Sequence, residues 1–435
     1  MSKKQLLLIL TFIAALSLLA SCGGNGNTVS NDASATETAG NSRIVIEDPA
    51  KETSEAKSTE PAVSEKPEFT FDPDNYTFVQ EFPAPEGSPR DIVMDYMLKM
   101  ANVEWTPRED FKITRRTNGD FGVDLSYKAG TVYTGMPYSN AYSSYEMFEQ
   151  YLIDGRFGDS AYYFEDVVGN HCSGSMLVAF QQLIDLPRGT FKPASTREGL
   201  LEFPKDENGN EILTKPDYET YKDSWITADL FKVNTKDSVF KAYSMLGKGD
   251  ILLKAIDGSG HTRLVDHVDL SKTLSGEINY TRSTVTTVEH TNQWEKERSG
   301  VNSTWWVNHK YTFTDLYEKL FMPVTLCIYH NGEKPEDAWI GFDGENTPES
   351  IHEALNGNVR SNFPLTYVRA TVKDKDGKIV SEARSYKFEK TYSVNIRKYQ
   401  YDLINGLPAG TYTYTLHAGI ARGGCDVESF EFTVK

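Results

Sequence analysis

From Gly23 to Pro67 the chain carries no aromatic residue, and Ser, Thr, Ala, Asn and Glu dominate the stretch. Such a segment cannot bury enough apolar surface to offset the entropy lost on ordering it. Residues 22–67 therefore read as a disordered stalk, and every packed core has to come from residues 68–435. Phe69 and Phe71 mark where foldable material begins. At roughly 100–200 residues per domain, a chain of 435 residues predicts two or three domains. With 39% hydrophobic and 12% aromatic residues it has material for more than one core, which excludes wholesale disorder. The formal charge is 45 − 62 = −17. That balance argues against a nucleic-acid partner, because phosphate binding needs a concentrated basic surface. Part of the charge belongs to the stalk, where residues 23–66 hold 8 acidic and 4 basic side chains.

Ahead of the stalk, Lys3 and Lys4 precede an apolar run from Leu6 to Ala20, too short for a comfortable membrane span and right for a signal-peptide core. The run closes on Leu19-Ala20-Ser21-Cys22, then Gly23-Gly24. This resembles the lipobox of bacterial lipoproteins. The resemblance implies a signal peptide over residues 1–21 and a Cys22 thiol that takes a diacylglycerol before cleavage; the other reading is an ordinary signal peptide with an incidental cysteine. Acyl chains contribute about 0.8 kcal/mol per buried CH₂, so two or three of them would hold the protein on the membrane. The mature chain is then extracytoplasmic and lipid-anchored. The residues after Cys22 lack an acidic run, which favours a Gram-positive-like surface. Setting Cys22 aside leaves Cys172, Cys327 and Cys425, an odd number, so at least one thiol stays unpaired within a monomer. Four cysteines are too few for a disulfide scaffold, and no CxxC pair suggests structural zinc.

Beyond residue 68 the pattern is mixed. Arg90–Met100 places Ile92, Val93, Tyr96, Met97 and Met100 at helical spacing. Tyr145–Ile153 and Cys172–Ile184 are further helices, the latter closed by Pro187. Strands are expected at Ile251–Leu253, Thr262–Val268, Ser283–Val288 and Phe321–Tyr329, the last ending this domain at about residue 332. From 333 to 435 strands at Tyr367–Val372, Ser385–Val394, Tyr412–Leu416 and Phe430–Val434 predict an antiparallel β-sandwich, with Asp374-Lys375-Asp376-Gly377 as a hairpin turn. Leu407-Pro408-Ala409-Gly410-Thr411-Tyr412 resembles the corner of immunoglobulin-like and fibronectin-like modules. The expected fold class is α+β, an α/β-mixed domain followed by a sandwich.

Cys172 opens a helix directly after a glycine-containing turn. A helix N-terminus carries partial positive charge, which stabilises a thiolate, and Ser173, Gly174 and Ser175 leave room beside the sulfur for a carbonyl. A cysteine on an amphipathic helix is also an ordinary small core residue. Downstream, Gly249-Asp250 leads into one strand and Gly260-His261 into the next.

The order Gly135-Met136-Pro137-Tyr138, Cys172-Ser173-Gly174, Gly249-Asp250, Gly260-His261 resembles the papain-like cysteine peptidases of the NlpC/P60 and CHAP families. It covers about 160 residues. The resemblance implies a papain-like domain over 68–332, with Cys172 as nucleophile, His261 as base and Tyr138 near the oxyanion. Val285–His290 resembles the strand that carries the third residue, so Glu289 is expected to orient His261, with His290 as substitute if the register shifts by one. It also implies hydrolysis of a peptide or amide bond, with cell-wall peptidoglycan as the substrate beside which the anchor would place it. No cofactor is expected. The alternative is a non-catalytic adhesion or ligand-binding lipoprotein on a peptidase-like scaffold.

Two departures stand out. His171 occupies the position of the usual acid before the cysteine, either supporting a thiolate or packing at the turn. The 33 residues between Tyr138 and Cys172 exceed the family spacing, and an inserted helix is expected there. Their aromatics, Tyr142, Tyr145, Phe148, Tyr151, Phe157, Tyr162, Tyr163 and Phe164, line a groove or fill a core. Trp294, Trp305 and Trp306 fall in a polar loop or hairpin, as sugar-stacking rings or a small core. His261 and His267 share a strand face, but no carboxylate spacing completes a metal site. Cys327 is expected buried in a strand, and Cys425 in a loop.

Overall fold

The computed structural model describes residues 44–45, 72–115, 123–158, 163–197, 199–217, 220, 225–386 and 391–435. The expected signal peptide, Cys22, Phe69, Phe71, Tyr162 and nearly all of the stalk lie outside the described residues. Within the stretch read as stalk, Ile44–Val45 forms a short parallel pairing with Ala383 and Arg384. Ile44, Val45 and Ile46 are the stalk's longest β-branched run, the composition that fits a strand. Among the described residues no helix is long and apolar enough to cross a membrane.

Two compact units emerge, one over Pro85–Glu336 and one joining the described residues between 44 and 84 to Asp337–Lys435. The first is mixed α and β. Its centre is a six-stranded antiparallel sheet in the order Trp305–Thr312, Thr284–His290, Ser259–Asp269, Ile251–Ile256, Met322–Leu326, Leu201–Glu202. Two of these carry the candidate site and are called here the histidine strand (Ser259–Asp269) and the glutamate strand (Thr284–His290). The cysteine helix, Cys172–Phe180, lies against both and against the helix Pro89–Asn102. That second helix forms because Pro89 starts it and Val93, Met94, Met97, Met100 and Ala101 line one buried stripe.

The Gly249-Asp250 turn aims the central strand. Gly249 has φ +82°, and a Cβ there would sit 2.8 Å from the Tyr329 hydroxyl, so only glycine fits without displacement. The buried Asp250 carboxylate accepts from Gly247 N–H at 2.7 Å, Thr325 Oγ1 at 2.5 Å and Arg90 Nη1 at 2.7 Å. This pair of residues is structural, closing the turn through hydrogen bonds that a buried carboxylate requires.

Local differences from the sequence reading have local causes. The helix expected over Tyr145–Ile153 stops at Glu149 and gives way to a hairpin of Leu152–Ile153 with Arg156–Phe157. Asp154 and Gly155 turn it with φ of +52° and +70°, the left-handed pair that an Asp-Gly dipeptide favours. The cysteine helix ends at Phe180, four residues before Ile184. The apolar strand before residue 330 ends at Leu326, so Cys327 lies in a 3₁₀ turn and is only half-buried. Phe148, Tyr151, Phe157, Phe164 and Tyr142 are buried, hence core rather than groove, while Tyr163 is exposed. Trp294 packs on Tyr127 and Tyr133, and Trp305 is fully buried, so the tryptophan loop encloses a small core.

The second unit is a sandwich-like pair of sheets. One holds Leu365–Lys373, Ile379–Tyr386, Gly410–Ile420 and Gly423–Val434; the other holds Phe78–Phe82, Ala338–Phe342, Asn358–Ser361 and Ser393–Asn395. Alternating residues of both, among them Ile340, Phe342, Val359, Val368, Ala370, Tyr414 and Leu416, make one buried cluster. Tyr412 donates its hydroxyl to Pro408 C=O at 2.8 Å, the hydrogen bond of a tyrosine corner. Cys425 is in the last strand, not a loop, and neither it nor Cys327 is in a disulfide. The strand expected over Ser385–Val394 is split: one strand ends at Tyr386, the next starts at Ser393, and residues 387–390 lie outside the described residues.

Candidate active site

The cysteine helix begins where its sequence says it should, but the cap is unusual. His171 takes the N-cap position and its Nδ1 accepts from Gly174 N–H at 3.0 Å. A ring nitrogen that accepts a backbone N–H carries no proton, so the hydrogen lies on Nε2, which donates to Asn140 Oδ1 at 2.8 Å. His171 is thereby held as a cap packed at the turn, its ring edge-on to Tyr142 at 4.6 Å. Asn140 was not singled out from sequence.

Cys172, the first helical residue, is 6% exposed. Its thiol hydrogen-bonds His261, which enters from the start of the histidine strand. His261 Nε2 donates to Glu289 Oε2 at 2.5 Å. Burial disfavours a charged imidazole, but the Cys172 and Glu289 contacts outweigh it and bring the His261 pKa up to about 9. Cysteine, histidine and glutamate thus form one connected chain.

Glu289 comes from the glutamate strand and is 1% exposed. Burial alone would push its carboxyl up. Arg263, the His261 hydrogen bond and the Tyr311 hydroxyl instead pull it down to about 2. Arg263 Nε donates to the same Oε2 at 2.9 Å, and Tyr311 donates to Oε1 at 2.5 Å. Arg263 lies two residues past His261, so the two-residue period of a strand puts both on one face; that signal was present in the sequence. Tyr311 had none.

Tyr138 is held beside the helix start by a bridge to Asn170 and is buried. Its ring stacks on Phe164 at 5.6 Å and meets His290 edge-on at 5.0 Å. His290, next to Glu289, takes no part in orienting His261. It stacks on Trp305 at 4.1 Å, hydrogen-bonds Thr304 Oγ1 at 2.9 Å, and burial holds its pKa well below the usual value, so it is neutral. His267 is separated from His261 by a register shift after Val265 and pairs with Asp266 at 2.7 Å.

No model of a known protein family, no curated protein and no solved structure matches the chain. The class defined by fold and site, a mixed α+β unit holding a buried Cys–His–Glu chain at a helix start, rests on this geometry.

Proposed function

We propose that the first unit is a papain-like cysteine hydrolase, resembling the NlpC/P60 and CHAP peptidases, that cleaves peptide or amide bonds of cell-wall peptidoglycan. The observation that carries this reading is the hydrogen-bonded series Cys172–His261–Glu289 beginning at a helix N-terminus. Cys172 as thiolate attacks the carbonyl carbon while His261 holds the proton. The Cys172 backbone N–H and the Tyr138 side are the candidate donors for the oxyanion. Collapse gives a thioester, with the His261 proton passing to the leaving amine. Water, deprotonated by His261, then releases the acid and restores the thiol–imidazole pair. An amine in place of water would complete acyl transfer on the same residues. Cys172→Ala is expected to abolish hydrolysis of purified muropeptides; unchanged turnover would overturn the reading.

We place the protein outside the membrane, anchored through lipidated Cys22, with the second unit as an immunoglobulin-like module. Cys22→Ala should move the protein from the membrane to the soluble fraction. The burial of Cys172 favours the second reading, a non-catalytic ligand-binding lipoprotein. Under it, iodoacetamide would label Cys172 at pH 6 no faster than a model thiol, and His261→Ala would change nothing.

A further inference from the structure

We infer that Arg263 is a positioning residue of this site, holding the Glu289 carboxylate ionised and directed at His261 so that a thiolate–imidazolium pair can form in a buried setting. The inference rests on the hydrolase reading and goes beyond the three residues that define it. Four features support it. Arg263 is 7% exposed, so its charge is desolvated and demands an anion. Its Nε shares Glu289 Oε2 with His261, at 2.9 and 2.5 Å, so cation and imidazole fix one oxygen from two directions. The guanidinium is clamped between the Tyr311 ring at 3.7 Å and the Phe321 ring at 3.9 Å, which sets its plane. Phe321 also meets the His261 ring edge-on at 6.2 Å, so the clamp and the base share a wall.

The charge count explains why a cation belongs there. In the reactive form Cys172 is negative, His261 positive and Glu289 negative, which leaves one uncompensated negative charge among buried groups. Burying such a charge is costly, and the usual relief is protonation of the carboxyl. Arg263 restores neutrality, and the carboxylate survives. Other titratable or charged groups face this cluster: His171 caps the cysteine helix, and His290, held well below its ordinary pKa by burial, follows Glu289 on the glutamate strand. Tyr311, next to Glu289, and Tyr243, from the helix Lys236–Ser244, are held protonated by burial. Asp315, on the helix Phe313–Glu318, is anionic through its Thr312 hydrogen bonds, Lys319 lies 5.9 Å from the Tyr311 ring, and Glu297 acts on Tyr311 from the tryptophan loop. Among the described residues, the cationic partners of Glu289 are His261 and Arg263.

The test uses the full chain and needs no natural substrate. The rate of iodoacetamide alkylation at Cys172 is followed by peptide-resolved mass spectrometry from pH 4 to 9 for wild type, Arg263→Met, Arg263→Gln and Arg263→Lys, with circular dichroism to establish folding. The expected result is an acid limb shifted up by about one pH unit or more in the methionine and glutamine variants, about tenfold slower labelling on that limb. The lysine variant, which keeps the charge, recovers most of the shift. Should the methionine variant fail to fold, the glutamine variant decides. Acid limbs that coincide for wild type and the uncharged variants overturn the inference while leaving the hydrolase reading intact. No enhanced Cys172 reactivity in wild type would instead remove the hydrolase reading, and this inference with it.

Discussion

Each unit holds a cysteine, a histidine and a carboxylate in close array, around His261 in the first and His417 in the second, and these two sets behave oppositely. In the first, Cys172 and Glu289 raise His261 to about 9. In the second, Cys425 and Asp426 lie side by side on the strand Gly423–Val434, with Asp426 facing His417 across the ladder and bonded to it at 2.6 Å. Yet burial leaves His417 below its ordinary value, and burial together with the Asp426 charge pushes the Cys425 thiol up to about 12. Two physical differences separate them. Glu289 is 1% exposed and held by three donors, whereas the Asp426 side chain is 66% exposed, where water screens its charge. Cys172 starts a helix, whose amide dipoles favour an anion, while Cys425 sits in a strand with no such field. Residue types in contact do not separate the two sets; burial of the carboxylate and the placement of the sulfur do.

The widest gap is expected in thiol chemistry. At pH 6 iodoacetamide should label Cys172 at least about 100-fold faster than Cys425, as thiolate populations dictate. Equal rates would erase the contrast. His261→Ala should slow Cys172 labelling at pH 6 by about 100-fold, whereas His417→Ala should leave Cys425 within about twofold. Glu289→Gln should cost about 3–5 kcal/mol in chemical denaturation, because Arg263 stays buried without its anion. Asp426→Asn, at an exposed pair, should cost less than about 1 kcal/mol. The same Glu289→Gln change removes a group that raises His261 toward about 9, so under the hydrolase reading the alkaline limb of turnover should move down; an unmoved limb would uncouple Glu289 from His261. Gly249→Ala should lose about 1–3 kcal/mol through its left-handed backbone. The smallest effect, about 0.5–1.5 kcal/mol, is expected for Tyr412→Phe, measured as a shift in thermal midpoint.

Much of the site was readable because its signals are local. Cys172 follows a turn and heads an amphipathic helix; His261 and Glu289 sit at strand ends marked by a glycine turn and a Val/Thr alternation. The structure brings these three together, sets Tyr138 beside them and gives His290 to Trp305 instead. What stayed hidden depends on partners far away in sequence. Tyr311 reaches Glu289 from a strand that follows a long loop, and nothing in its own neighbourhood announces that. The aromatics before Cys172 looked equally suited to a groove or a core, since composition does not say which face is covered. The Asp154-Gly155 dipeptide is a turn signal just beyond the helical spacing of Tyr145–Ile153, and it closes the hairpin found there.

Phe78–Phe82 pairs with Ala338–Phe342, and all of Pro85–Glu336 lies between the two strands in the chain. In a protein synthesised from its amino end, the early strand must wait unpaired while some 250 residues are made, 338 − 82 = 256 from pair to pair. The intervening unit holds its own core and can fold first; the sandwich is necessarily the last to close. Non-local pairing of this kind is slow, and an unpaired strand edge invites association with other chains. A chain interrupted near Glu336 would therefore present a folded first unit attached to an orphan strand, and only the arrival of Ala338–Phe342 gives that strand its partner.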